Sequence, residues 1–178
     1  KDGTHGTHKD CLNDDYYLLS AKNVINGTVE IDNFDRKISK EDFNSIYKNY
    51  SLKKGDILLT IVGTIGRVAL WDGKFTNVAF QRSVAFLRFI DDLPGFIIQL
   101  FNQTLFQNEL LRRRVVSAQP GIYLGDLAKI GIKLPSIPEQ TKIANFLSKI
   151  DDKIKTVNEQ IEESKEYKKG LLQKMYCV

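Results

Sequence analysis

The sequence predicts an α+β fold: a small twisted mixed β-sheet domain with short helices, followed by one long C-terminal coiled-coil helix. Three observations predict it. Up to Leu134, short β-branched runs alternate with Gly, Pro, Asn and Asp turn signals. Pro135 and Pro138 then close that region within Leu134-Pro135-Ser136-Ile137-Pro138-Glu139-Gln140, because proline lets neither a sheet nor a helix run through it. Beyond them, apolar residues recur at alternating steps of four and three: Ile143, Leu147, Ile150, Ile154, Val157, Ile161, Leu171, Met175 and Val178. That is the a/d seam of a heptad repeat, interrupted at Ser164 and Lys168. A stripe this narrow cannot be buried on a lone helix, so it implies a partner helix.

The elements follow in order. The segment to about Asn23 is turn-rich and polar, anchored by Leu12, Tyr16, Tyr17, Leu18 and Leu19. Residues 24–31 form a hairpin through Asn26-Gly27. Residues 40–50 form a short helix with Ser39 as N-cap and Asp42 three positions on. Residues 56–62 are a buried strand, broken by Gly63-Thr64-Ile65-Gly66 and resumed over 67–71. Asp72-Gly73 is another tight turn, and residues 78–90 supply one or two further strands. Pro94 opens a helix with Asp92 as its cap, running through Phe101 and Leu105 to about Leu111. Residues 130–134 are a last strand. The final helix, of roughly 38 residues, spans on the order of 55–60 Å.

Composition narrows the function classes. The chain has 178 residues, 42% of them hydrophobic, and a formal net charge of +4. The helix from Glu139 onward balances eight Lys against seven acids, so the excess lies mostly in the body. Such a balance suits nucleic acid without requiring it. No apolar run is long enough to cross a bilayer, and the first residues carry no signal-peptide pattern. Two cysteines, Cys11 and Cys177, fit a reducing cytoplasm better than a disulfide framework.

No catalytic set emerges. Both histidines, His5 and His8, lie in one loop, and no serine has a paired histidine. Glu166-Tyr167-Lys168 matches the tail of a nuclease motif but has no partner acid upstream. His5, His8 and Cys11 lack the second half of a structural zinc site, so a bland polar loop is the favoured reading and no metal or cofactor is implied. Gly63-x-x-Gly66-Arg67 lacks the Gly-Lys-Ser/Thr ending of a phosphate loop. It reads as a tight turn or, less favoured, as a binding loop whose Arg67 meets a phosphate or a guanine edge. Arg112-Arg113-Arg114 is a cationic helix end or a phosphate contact. Gln81-Arg82 and Gln119 to Tyr123 offer amide, guanidinium and phenol groups of the kind that read base edges.

Three stretches together resemble a known family: Lys1-Asp2-Gly3-Thr4-His5-Gly6-Thr7-His8; Gly55-Asp56-Ile57 through Gly63-Thr64-Ile65-Gly66-Arg67; and Gln119-Pro120-Gly121-Ile122-Tyr123-Leu124 through the Leu134-to-Gln140 block to Ala144. The chain resembles the target recognition domain and following helix of the specificity (S) subunit of type I restriction–modification systems. Such subunits carry two recognition domains and two long antiparallel helices that space a bipartite DNA site. They are not catalytic, and they recruit methyltransferase subunits and motor-endonuclease subunits. One domain with one helix departs from that pattern, which makes this chain a half-subunit or a C-terminal half. The resemblance implies a target recognition domain over residues 1–137 and a dimerising, spacing helix over 138–178. It implies contacts with double-stranded DNA from Thr4, His5, Thr7, His8, Lys9, Thr64, Arg67, Gln81, Arg82, Gln119 and Tyr123. It implies homodimerisation through Ile143, Leu147, Ile150, Ile154, Val157, Ile161, Leu171 and Met175. The competing class is a coiled-coil adaptor whose domain binds another protein and has no DNA role.

Overall fold

The protein, described as a computed structural model over residues 1–115 and 118–176, is α+β. Cys177 and Val178, the last seam position, lie outside the described residues. The strands divide into two three-stranded sheets and a two-stranded ribbon. The first sheet has β1 (Tyr16–Leu19) at its centre, antiparallel to β4 (Lys37–Ile38) and parallel to β7 (Val78–Phe80). The second has β5 (Ile57–Thr60) at its centre, antiparallel to both β6 (Val68–Leu70) and β8 (Val84–Leu87). The ribbon pairs β2 (Val24–Ile25) with β3 (Thr28–Val29) around Asn26-Gly27, as the turn signal requires.

Side-chain alternation along β5 shows why these sheets stack. Ile57 and Leu59 face Phe96, Ile97 and Phe101 of α2 (Pro94–Asn102) and Phe106 and Leu110 of α3 (Thr104–Arg112). Leu58 faces the other way, into Leu19, Val78, Phe80, Val84 and Phe86. Leu18 and Ala79, on the far face of the first sheet, meet Phe43 and Ile46 of α1 (Lys40–Asn49). The order is therefore α2 and α3, second sheet, first sheet, α1. A strand buried on both faces reads as a continuous apolar run, which is what Ile57-Leu58-Leu59 is.

Several sequence expectations need correction. Tyr16–Leu19 is a central strand and not part of a turn-rich segment, and Leu12 is 84% exposed and anchors nothing. Asp92 does not cap α2, whose N-cap position is Leu93. The helix expected to reach Leu111 breaks at Gln103, where ψ is 142°. Residues 130–134 are not a strand. Ile130 and Ile132 pack on the α2-side core, so their alternation reflects one-sided burial without a ladder partner. A four-residue helix, α4 (Leu124–Leu127), was not foreseen.

The last helix, α5 (Ile137–Tyr176), has 40 residues. Its start explains the Leu-Pro-x-x-Pro-Glu-Gln block. The Ser136 carbonyl accepts the N–H groups of Glu139 and Gln140 at 2.9 Å. The Glu139 carboxylate accepts from Ser136 N–H (3.1 Å) and Oγ–H (2.8 Å), one arm of a capping box. These bonds hold the Glu139 carboxyl below its ordinary value. Gln140 is 1% exposed. Its amide donates to Asp92 Oδ1 (2.7 Å) and the Pro135 carbonyl (3.0 Å), and its Oε1 accepts from Leu93 N–H (3.0 Å). Ala144 packs on the α2-side core, and Gln99 of α2 donates to Asp151 Oδ2 at 2.6 Å. The root of α5 is thus latched to the domain, while Ile150, Ile154, Val157, Ile161, Leu171 and Met175 stay exposed.

Candidate nucleic-acid interface

Backbone hydrogen bonds lace four distant segments into one surface. A Cβ at Gly3 would lie 2.1 Å from the Phe80 carbonyl oxygen, so only glycine permits this approach. Gly3 N–H donates to Val84 O (3.0 Å), Thr4 N–H to Phe80 O (2.8 Å) and Arg82 N–H to Thr4 O (3.0 Å). The β7–β8 turn carrying Gln81 and Arg82 is thereby fastened to the segment carrying Thr4 and His5. On its other side, Ile61 N–H donates to Ser83 O (2.9 Å) and Ile122 N–H to Ile61 O (2.9 Å). Gly63 N–H donates to Pro120 O at 3.0 Å, which places the glycine loop beside the Gln119-to-Tyr123 segment.

A groove opens where these segments meet. It is lined by Asp2, His5, Ile61, Val62, Arg82, Val115, Gln119, Gly121, Ile122, Tyr123 and Leu124. Four of the expected site residues, His5, Arg82, Gln119 and Tyr123, therefore share one cleft although they span most of the domain sequence. Tyr123 is 68% exposed, and its carbonyl accepts the N–H groups of Asp126 and Leu127 at 3.0 Å, so the start of α4 fixes its place. His5 Nε2 lies 2.7 Å from Asp2 Oδ2, which sets the ring's position at the rim. Thr4 and Gln81 sit at the edge, paired by a β-bridge. The floor is aliphatic and the rim carries an imidazole, a guanidinium, an amide and a phenol. That combination suits base edges and a thymine methyl.

The remaining expected residues sit elsewhere. His8 turns inward: its Nε2 lies 3.0 Å from Thr4 Oγ1 and its Nδ1 3.0 Å from Asp42 Oδ1 of α1. Thr7 and Lys9 are exposed beyond it. Thr64 and Arg67 are exposed on the glycine loop; Arg67 N–H donates to Thr60 Oγ1 (2.9 Å), and its guanidinium reaches Val24 O at 3.5 Å. Gly66 has φ +95°, and a Cβ there would lie 2.2 Å from Gln107 Oε1. Gln107 of α3 donates to both Gly66 O (2.9 Å) and Phe101 O (2.7 Å). The close approach that Gly66 allows is thus made by the protein's own Gln107 side chain, which supports the turn reading of this loop. Arg112 and Arg113 both bind Glu109, holding its carboxyl below the ordinary range. Asp2, Val62 and Val115 line the groove without having been foreseen. Pairing with Gly121 brings the two valines there.

Comparison with known proteins places this architecture. The Type I restriction modification DNA specificity domain family matches residues 7–165. The EcoBI specificity subunit of a type I restriction enzyme from Escherichia coli is 31% identical over 143 residues, covering 79% of this chain and 30% of that protein. The crystal structure of a type I restriction–modification S subunit from M. genitalium superposes with a TM-score of 0.58 at 19% identity. It covers 93% of this chain and 40% of that one. The chain spans about a third of the length of the E. coli relative. Its α+β domain with a long trailing helix is the fold of that S subunit. With most of its length matched, the chain belongs to the type I restriction modification DNA specificity domain family.

Proposed function

We propose that this chain reads one half of a bipartite double-stranded DNA site and pairs with a second copy through α5. The observation that carries the reading is the groove in which His5, Arg82, Gln119 and Tyr123 converge. Its polar rim would enter the major groove, where the four base pairs present distinct donor and acceptor patterns. Exposed cations at Lys9 and Arg67 would meet phosphates on either side and fix the register. The chain itself would be non-catalytic, working in the cytoplasm with methyltransferase subunits that modify the site and motor-endonuclease subunits that cleave.

Support for the pairing is the exposed seam of α5 beyond the α2 contact. The Gln140 latch supports a ruler role, because a helix fixed to its domain turns helix length into distance between reading grooves. The test is binding to duplex DNA across a salt series. Phosphate neutralisation gives a linear fall of log affinity with log salt. A flat salt dependence, or no duplex binding in the presence of a methyltransferase partner, would favour the adaptor reading.

A further inference from the structure

The flanks of the α5 seam are complementary to their own reverse. On one edge, at heptad spacing, stand Asp151, Asn158 and Lys165. On the other stand Phe146, Lys153, Gln160, Tyr167 and Lys174. Phe146 is 64% and Tyr167 71% exposed. The Asp151 carboxylate is held on its edge by Gln99 Nε2 at 2.6 Å.

We propose that two copies of α5 pair antiparallel in one register, with the two-fold axis passing beside Glu159. This rests on the pairing reading above and goes further by fixing who meets whom. Val157 then lies level with the partner's Ile161, Leu147 with the partner's Leu171 and Ile143 with the partner's Met175. Asp151 meets the partner's Lys165. Both exposed aromatics face cations, Phe146 against the partner's Lys174 and Tyr167 against the partner's Lys153. Asn158 and Gln160 each meet their own copy at the axis. The two weak layers set Ile154 against the partner's Ser164 and Ile150 against the partner's Lys168, whose methylene stem covers the isoleucine while its ammonium reaches towards Asp151. Sliding one heptad in one direction opposes Lys153 to the partner's Lys174. Sliding the other way sets Asp151 against Asn158 and Lys168 against Ile143, and leaves Leu171 and Met175 without a layer. In the proposed register the two Gln140 latches stand about 57 Å apart along the helices.

Single-cysteine variants of the full chain, in a Cys11→Ser, Cys177→Ser background, test this with a short bis-maleimide. Gln160→Cys should give a covalent dimer and Ile150→Cys should not. Asp151→Lys should raise the dimer dissociation constant about threefold to tenfold, since like charges then meet twice per dimer, and adding Lys165→Asp should restore it. A dimer by sedimentation that fails to cross-link at Gln160→Cys, or that cross-links at Ile150→Cys, overturns the register and leaves pairing intact. A strict monomer at micromolar concentration overturns both.

Discussion

Gln140, Tyr50 and Arg82 show how much depends on single side chains. Gln140 satisfies three partners at the junction of domain and helix. Gln140→Ala leaves the Leu93 N–H and the Asp92 carboxylate without their partner, so the chain should lose about 1–3 kcal/mol in denaturant unfolding. Tyr50 is half-buried, packed against the clusters on both faces of the first sheet, and this desolvation pushes its phenol up to about 12. Its oxygen accepts from Phe80 N–H at 3.0 Å. The fold therefore favours the neutral phenol, and the associated stability is intact below pH ~10 and lost as pH climbs towards 12, on the order of 2–3 kcal/mol. Tyr50→Phe should lack that alkaline step in a pH-dependent melting series. Arg82→Gln should weaken duplex binding by about 1–3 kcal/mol without lowering the melting temperature. Equal affinity for the variant would remove the β7–β8 turn from the interface. The residue types at His5, Arg82, Gln119 and Tyr123 were legible in the sequence, but their meeting was not. It depends on bonds such as Thr4 to Phe80 and Ile122 to Ile61, which join segments far apart in the chain. His8 carried the same chemical promise as His5 and instead turns inward, beside Thr4 and Asp42.

At the scale of elements, local chemistry was legible wherever the signal was local. Ser39 Oγ accepts from Asp42 N–H at 3.1 Å and starts α1 as its position predicts. Asn26-Gly27 makes its hairpin, and the heptad pattern makes one 40-residue helix. What failed was tertiary. β1 was missed because a four-residue strand flanked by polar turns declares itself only through its neighbours β4 and β7. Residues 130–134 looked like a strand because Ile130 and Ile132 are buried on one side, and burial has the same signature with or without a ladder. Asp92 resembled a cap for α2 but is taken by Gln140, 48 positions away. The apolar run at the centre of β5 was legible and should be costly to disturb. Leu58 is fully buried between the two sheets, so Leu58→Ala should destabilise the domain by about 2–5 kcal/mol in denaturant unfolding.

For the whole molecule, a domain latched to a helix makes α5 a ruler. Deleting one heptad, residues 157–163, keeps the a/d seam in phase and removes only its two central layers, Val157 against the partner's Ile161 and the symmetry-related pair. The two reading grooves then approach by roughly 10 Å, close to three base pairs of rise. The preferred spacer between half-sites should shrink accordingly while the bases read in each half stay the same. Twist enters too, because losing a few base pairs rotates one half-site around the duplex, so binding should weaken as the spacer shortens. Half-site reading is tested most directly by selection from a random duplex library, with the methyltransferase partner present, followed by sequencing of the retained DNA. Two paired copies should enrich two copies of one short motif in inverted orientation at a fixed spacer, with the base preference blunted by Arg82→Gln. Retained DNA without any sequence preference, or a preference indifferent to every residue of the groove, would contradict it.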